Sequence, residues 1–534
     1  MTASGFPSTE APDSGCTISP NSRFPGRLGP VGIDSGARNT VGSRLRARGL
    51  HRELPLWPAF VSAALTSLVA FIGITRPSIW PDEAATISAT DRSYESLMEL
   101  LSTMDIVHGL YYLVMMPWVE VFGTSSLSIR TPSALMMATG ALLTTRITMN
   151  YARSAAPHRA IRAGLAAGAL YATLPILAGM GQEARGFAFG TAFVLLAWWG
   201  YEKWLRSRDD RWLIVLVVGH LLAVYFTLYA AMVVPLYVFR AMNHGRRPGL
   251  KAAGAAVVIA AGTLPLVLLA LPQRGQIDWI STSPVSIIKR MVSSQFFIGQ
   301  GISDGPWYHL LQAIAVVLAG LTVAIIAVGM VHGPLRRTQA WLWAWIAFPM
   351  LVVFTARLVG GQFYDERYMI FTAPALVVLL ALVITVCIPR RSISILALGA
   401  LIALCLPAVV AQHGSTKNNS DYRRASAILE PANTIYFLDA KSHDITTAYP
   451  HETEASDPML LASAEDSGTL NGHTAPPELA FNHTPSGSIG VAGSTLKQQK
   501  YDAVVNHFVS TGCTVVDDFQ DEWIRTTLLT CPIL

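Results

Sequence analysis

The sequence predicts a mainly α, polytopic membrane protein that carries a small α/β domain at its C-terminal end. Three observations lead there. The 534 residues are 52% hydrophobic and only 14% charged, with a mean hydropathy of +0.41, whereas soluble domains carry about 25% charged residues. Apolar runs of about 20 residues, the length that crosses the hydrocarbon core of a bilayer, recur through 53–412. From 413 to 534 the pattern changes to short strand-like runs between polar stretches.

Residues 1–52 are rich in Gly, Pro, Ser and Arg and lack the early apolar stretch of a signal peptide, so they are expected to form a disordered cytoplasmic tail. Arg44, Arg46, Arg48 and Arg52 precede the first apolar run, 56–75, and place the N-terminus inside by the positive-inside rule. The next basic loop holds Arg153, Arg159 and Arg162, so one crossing separates it from Arg76. Of the two apolar candidates between them, 109–123 contains Pro117 and Glu120 and is assigned to the membrane surface, and 131–151 is the span. Runs 163–180 and 187–204 follow. Residues 212–240 have basic residues at both ends, Arg211 before and Arg240, Arg246 and Arg247 after, which requires a hairpin of two short spans with its tip at 227–229. Runs 252–271, 309–331, 339–358, 368–388 and 392–412 complete about eleven spans. Every basic cluster then falls on one side, and 413–534 lies outside the cytoplasm. The formal charge of +5 is spread over these short loops, which is a membrane pattern and implies no nucleic-acid partner.

Five cysteines match no zinc spacing. Cys387 and Cys405 fall in apolar runs, while Cys513 and Cys531 lie in the C-terminal part. A disulfide between the latter two requires an oxidising compartment, and the sequence leaves the pairing open. Strands are expected at 434–439, 513–519 and 524–530, a helix over 501–512, and a long flexible insert over 450–500.

The chemistry-bearing residues concentrate in loops on the outward side. Loop 76–130 holds Asp82, Glu83, Asp105, His108 and Arg130; loop 181–186 holds Glu183 and Arg185; loop 360–367 holds Asp365, Glu366 and Arg367. Leu97, Leu100, Leu101 and Met104 recur at helical spacing, as in a helix lying along the membrane. A carboxylate there can act as general base, and arginines can hold a phosphate through paired hydrogen bonds. Plainer readings also exist. Asp82 and Glu83 suit a helix start, Asp365 and Glu366 can neutralise Arg367, and Tyr111, Tyr112, Trp341, Trp343 and Trp345 suit packing or an interfacial belt.

The segments "WPDEA", "DIVHGLYYLVMMPWVEVFG", "SIRTPSAL", "GQEARGFAF" and "DERYMIFTAPAL" occur in this order. Together they resemble the GT-C glycosyltransferases, in particular the protein O-mannosyltransferase and aminoarabinose-transferase-like group, over about 55–410. The C-terminal part resembles domains attached to actinobacterial members. The chain departs from the family pattern in "HGLYY", where Gly109 replaces a usual proline, and in "EARGF" for "EARPY". The resemblance implies a sugar donor on a polyprenyl phosphate, transferred with inversion to a hydroxyl of a glycan, lipid or protein at the outer face of the plasma membrane. It implies Asp82 as general base with Glu83 supporting it. Arg367, Arg185 and Arg130 would bind the donor phosphate, and Asp105, His108 and Glu183 would position sugar or acceptor. Mannose is the first expectation for the sugar and arabinose or another pentose the next. The resemblance fixes no cofactor; a divalent cation is the candidate, since its use varies among such enzymes, and no metal ligand is assigned. Two rivals are a lipid-linked-sugar transporter, which needs charges along a path within spans, and a non-catalytic family member.

Overall fold

The structure is a computed structural model describing residues 54–277, 283–299, 302, 307–332, 335–451 and 455–533. The tail expected over 1–52 lies outside the described residues.

Each of the eleven apolar runs is helical. The first helix, α1, is Trp57–Phe71. Between it and the next predicted span lie three short helices, α2 (Pro81–Thr90), α3 (Tyr94–Thr103) and α4 (Gly109–Phe122). Then come α5 (Ser126–Ala155), α6 (Ala160–Thr173), α7 (Pro175–Met180) and α8 (Phe187–Ser207). The predicted run 163–180 is broken where Pro175, which cannot donate within a helix, starts α7. The predicted hairpin is α9 (Arg211–Phe226) and α10 (Val234–Met242), joined by a tight helical turn over Leu228–Val233. Helix α11 is Arg246–Ala270 and the short α12 is Pro284–Val292. They are followed by α13 (Tyr308–His332), α14 (Arg336–Leu358), α15 (Ala373–Leu382) and α16 (Arg391–Gln412). Among the described residues, five helical stretches are long and apolar enough to cross a membrane: Arg246–Gln276, Tyr308–Val331, Arg336–Leu358, Arg367–Cys387 and Arg391–Gln412.

Helix α5 is the centre of the bundle and packs on α1, α6 and α8. The contact with α6 is close because Gly140 faces a ring: a Cβ there would lie 2.1 Å from the Tyr171 hydroxyl oxygen and 3.0 Å from its Cζ. Small residues at such seams let helices approach where lipid supplies no hydrophobic drive.

After α16 the chain forms α17 (Tyr422–Leu429), α18 (Asp444–Ala448) and α19 (Gln498–Ser510), with strands β1 (Thr434–Phe437), β2 (Leu460–Ala462), β3 (His473–Thr474), β4 (Gly487–Ser494), β5 (Thr514–Gln520) and β6 (Ile524–Cys531). The main sheet has the order β1-β4-β6-β5, with β1 parallel to β4 and the other pairs antiparallel. Cys513 and Cys531 are disulfide-bonded, closing the β5–β6 ribbon beside the Thr514–Thr530 pair. The three predicted strands and the helix are present. The expected flexible insert over 450–500 is instead built into the fold: it supplies β2, β3 and β4, and Arg92 donates to the carbonyls of Ala464 and Thr469 while Ser88 Oγ donates to that of Leu470.

One apolar core runs through α2, α3, α4 and the C-terminal part. Ala84, Ile87, Leu97, Leu100, Tyr111, Tyr422, Ile428, Ile445 and Leu528 belong to it. The apolar side of α3 is therefore covered by protein rather than by the expected lipid.

Replacing Gly140 with valine is expected to force α5 and α6 apart. Overpacking costs of about 1–3 kcal/mol would appear as a lowered melting temperature of the detergent-solubilised protein against wild type.

Candidate active site

Pro81 occupies the first turn of α2, so Asp82 and Glu83 follow it at the helix start, where backbone N–H groups favour negative charge. Being adjacent on a helix they point about 100° apart, and they meet different surroundings. Glu83 has no exposed side-chain surface, whereas Asp82 keeps 29%.

Glu83 is saturated. Its Oε1 accepts from Arg130 Nε at 2.8 Å, the Ala184 N–H at 3.1 Å and Lys417 Nζ at 2.7 Å, and its Oε2 accepts from Arg130 at 2.5 Å. The remaining Arg130 donors go to the carbonyls of Ile74, Pro77 and Ser78 at 2.7–2.9 Å. A guanidinium has five N–H groups, and all five are used. Arg130, expected from the sequence to bind phosphate, has no donor left for one. Burial works against a charged Glu83, but Arg130 and Lys417 outweigh it and hold the carboxyl at about 2.

Asp82 lies between two arginines brought in by distant loops. Arg367 donates to Oδ2, and Arg185 stands 3.4 Å from Oδ1. Burial raises the Asp82 pKa, and these cations more than reverse that, to about 2. Arg367 also bonds Asp365 at 3.2 Å and lies over the rings of Trp80, Tyr368 and Phe187 at 5.2–5.9 Å. Asp365 and Glu366 in turn pair with Arg290. Arg185 accordingly has a mixed role: Nη1 donates to Tyr112 Oη at 2.6 Å, while its buried Nε has no hydrogen-bond partner.

The remaining predicted residues converge here as well. Asp105 accepts from Tyr112 Oη at 2.7 Å and faces Arg185 at 3.9 Å, from a backbone with φ of 57° that few non-glycine residues adopt. His108 is kept neutral: burial and then Arg185 depress its pKa to about 4, and its buried Nδ1 has no partner. Glu183 Oε2 pairs with Lys417 at 2.9 Å, and burial raises its carboxyl above the ordinary range despite that ammonium. The turn holding Glu183 and Arg185 depends on Gly186, where a Cβ would lie 2.9 Å from the Phe226 carbonyl oxygen; glycine in place of the family's proline thus fits a close approach of α9.

Sequence reasoning missed Lys417, and it left Tyr112 to an interfacial belt, whereas the ring is wholly buried and its hydroxyl joins Asp105 to Arg185. Lys417 enters from a turn in which Asn418 and Asn419 take left-handed φ of 51° and 57°, closed by backbone hydrogen bonds between Lys417 and Ser420. The β5–β6 turn grips it: Trp523 Nε1 donates to the Asn418 carbonyl at 2.9 Å, and Asn419 Nδ2 donates to Glu522 at 2.7 Å. The Asn418–Asn419 pair is a turn signal, and it is the sequence feature that could have drawn attention to Lys417.

The cluster borders an apolar cavity of about 490 Å³ lined by His108, Phe187, Phe226, Tyr229, Val353 and Tyr368. Charged donors beside an apolar cavity suit an amphipathic ligand with an anionic end. Among the described residues no group of acids, histidines and cysteines has a metal-holding arrangement.

Replacing Arg130 with glutamine strands a buried Glu83 and is expected to cost about 3–5 kcal/mol, read as a large fall in melting temperature. Lys417→Met has a pH signature. Glu83 ionises near 2 when folded, against 4.5 ordinarily, so its contribution to stability is full above 4.5 and lost as pH falls toward 2. Without Lys417 that contribution shrinks. The variant should melt below wild type at pH 7, and the gap should narrow as pH is lowered through 4.5.

No protein-family model matches the chain, and no curated protein matches it significantly. Solved structures do. ArnT from Cupriavidus metallidurans bound to undecaprenyl phosphate aligns with a TM-score of 0.52 at 14% identity, over 88% of this chain and 97% of that one. Its apo state gives 0.51 at the same identity and coverage. An oligosaccharyltransferase from Archaeoglobus fulgidus gives 0.43 at 12% identity, over 84% and 69%, and is too distant to add to this. The alignment spans membrane helices and C-terminal part together, and the chain has the GT-C fold that its sequence motifs predict.

Proposed function

We propose that this chain is a glycosyltransferase that takes a sugar from a polyprenyl-phosphate donor and places it on a hydroxyl acceptor, with inversion. The observation that carries this reading is Asp82: the partly exposed acid of a buried charge cluster, flanked by Arg185 and Arg367 and next to an apolar cavity. The neighbour ArnT was solved with undecaprenyl phosphate bound, a ligand whose chemistry, an anion on an apolar chain, suits that juxtaposition.

In the reaction the acceptor oxygen attacks the anomeric carbon opposite the phosphate, Asp82 takes the hydroxyl proton, and the carbon–oxygen bond to phosphate breaks. The electron pair leaves on the polyprenyl phosphate, which Arg185, through its unpartnered Nε, and Arg367 stabilise. Donor binding also prepares the base. A phosphate that draws the two guanidiniums toward itself weakens the force that keeps Asp82 acidic, and burial, the opposing effect, then raises its basicity toward the operating pH. Glu83, inaccessible, orients Asp82 by fixing the first turn of α2. Asp105, His108 and Glu183 position sugar or acceptor.

Mannose is the favoured sugar, by resemblance to the mannosyltransferase branch, with a pentose the alternative. The plasma membrane with the site outward is the favoured location. The Cys513–Cys531 disulfide supports an oxidising compartment for the C-terminal part, and the basic loops support a cytoplasmic N-terminus. Acids and arginines concentrate in this cluster, and a further buried pair, Glu202 with Arg240, sits near the C-terminal ends of α8 and α10; a pattern at helix ends rather than along a path through the spans disfavours a transporter.

Asp82→Asn should lower transfer of radiolabelled mannose from polyprenyl phosphate by about 10²–10⁴-fold while polyprenyl-phosphate binding persists. Equal transfer by both proteins would remove Asp82 as base; transfer only from a pentosyl donor would change the sugar.

A further inference from the structure

A second cavity, of about 260 Å³, lies beside Glu183 and Lys417. Its lining differs from that of the apolar cavity. Three buried polar atoms that meet no hydrogen-bond partner belong to residues lining it: Glu183 Oε1, Gln412 Oε1 and Asn418 Nδ2. Glu183 is 2% exposed. Leaving such groups unpaired is costly, so they call for a partner that brings both donors and acceptors. Trp307 and Tyr308 also line it, and Trp307 is 67% exposed.

An anion does not fit these groups. Lys417 is the cation there, and an ammonium has three donors; Glu83, Glu183 and the Gln182 carbonyl take all three. The unpaired atoms are two acceptors and one amide donor, and one acceptor is a carboxylate oxygen. A hydroxyl both donates and accepts, and neighbouring hydroxyls on one ring can serve an acid and two amides at once. The apolar faces of such a ring suit an aromatic wall.

We propose that this cavity binds a sugar residue of the acceptor, which makes the acceptor a saccharide. This rests on the glycosyltransferase reading and narrows it. Lys417, which lines the cavity, bonds Glu83 at 2.7 Å, the residue next to the acid that would deprotonate the acceptor.

Saturation-transfer NMR on the full chain in detergent tests it. The probes are methyl α-mannopyranoside, methyl α-glucopyranoside and methyl α-arabinofuranoside, with inorganic phosphate and a Ser/Thr-containing peptide alongside. The variants are Trp307→Ala and Asn418→Ala, each checked for a wild-type melting temperature. At least one glycoside should bind wild type, and each variant should weaken it about fivefold to tenfold, the effect of one lost neutral contact. If one variant fails to fold, the other decides. Absence of glycoside binding, binding unchanged in the variants, or displacement of the glycoside by phosphate or peptide overturns the proposal. Donor chemistry is read separately, through polyprenyl-phosphate binding and the Asp82→Asn comparison, so loss of the saccharide site and loss of the transferase reading give different results.

Discussion

The site depends on a buried ion pair, Arg130 with Glu83. Taking two charges out of water is expensive unless each is fully hydrogen-bonded, and here both are. The guanidinium on α5 ties together the carbonyls of residues 74, 77 and 78 and the first turn of α2, and the carboxylate passes the constraint on to the Ala184 N–H and to Lys417. Three segments far apart in sequence are thereby fixed around one residue, and two of them carry groups of the proposed reaction, Asp82 and Arg185.

Adjacent acids then divide the work through their surroundings. Glu83 is closed off and structural. Asp82, one residue earlier, faces two cations that are themselves shared with Asp105, Tyr112 and Asp365. A network of shared partners can be redistributed by one incoming phosphate, which a set of isolated pairs cannot. The neutral His108 adds a polar group without adding charge.

Much of this was legible in the sequence. Hydropathy and arginine placement located the eleven helical runs and the hairpin tip near residue 227, because in a bilayer length and charge asymmetry dominate. The acids and arginines of three loops were identified because polar clusters at one face are rare. The distinction between Arg130 and Arg185 was not legible: both are arginines near a membrane face, and only the positions of three carbonyls decide that one is consumed. Lys417 and the order of 450–500 were missed for a related reason. Both acquire their roles from contacts hundreds of residues away, and the glycine-bearing β4 lacks the β-branched run that marks β6. The buried face of α3 reads alike whether lipid or protein covers it.

Lys417 has a consequence for how the molecule is made. Chains emerge from the ribosome in order, so Glu83 and Glu183 are synthesised and folded toward each other long before the ammonium that separates them exists. That ammonium is held in place by a turn whose clamp, Glu522 and Trp523, lies about a hundred residues further along the chain. A chain that holds every membrane helix but lacks this segment therefore leaves Glu183 without its ammonium and Glu83 with Arg130 as its one cation. The charge balance of the site thus depends on a segment that lies beyond all of the membrane helices in the chain.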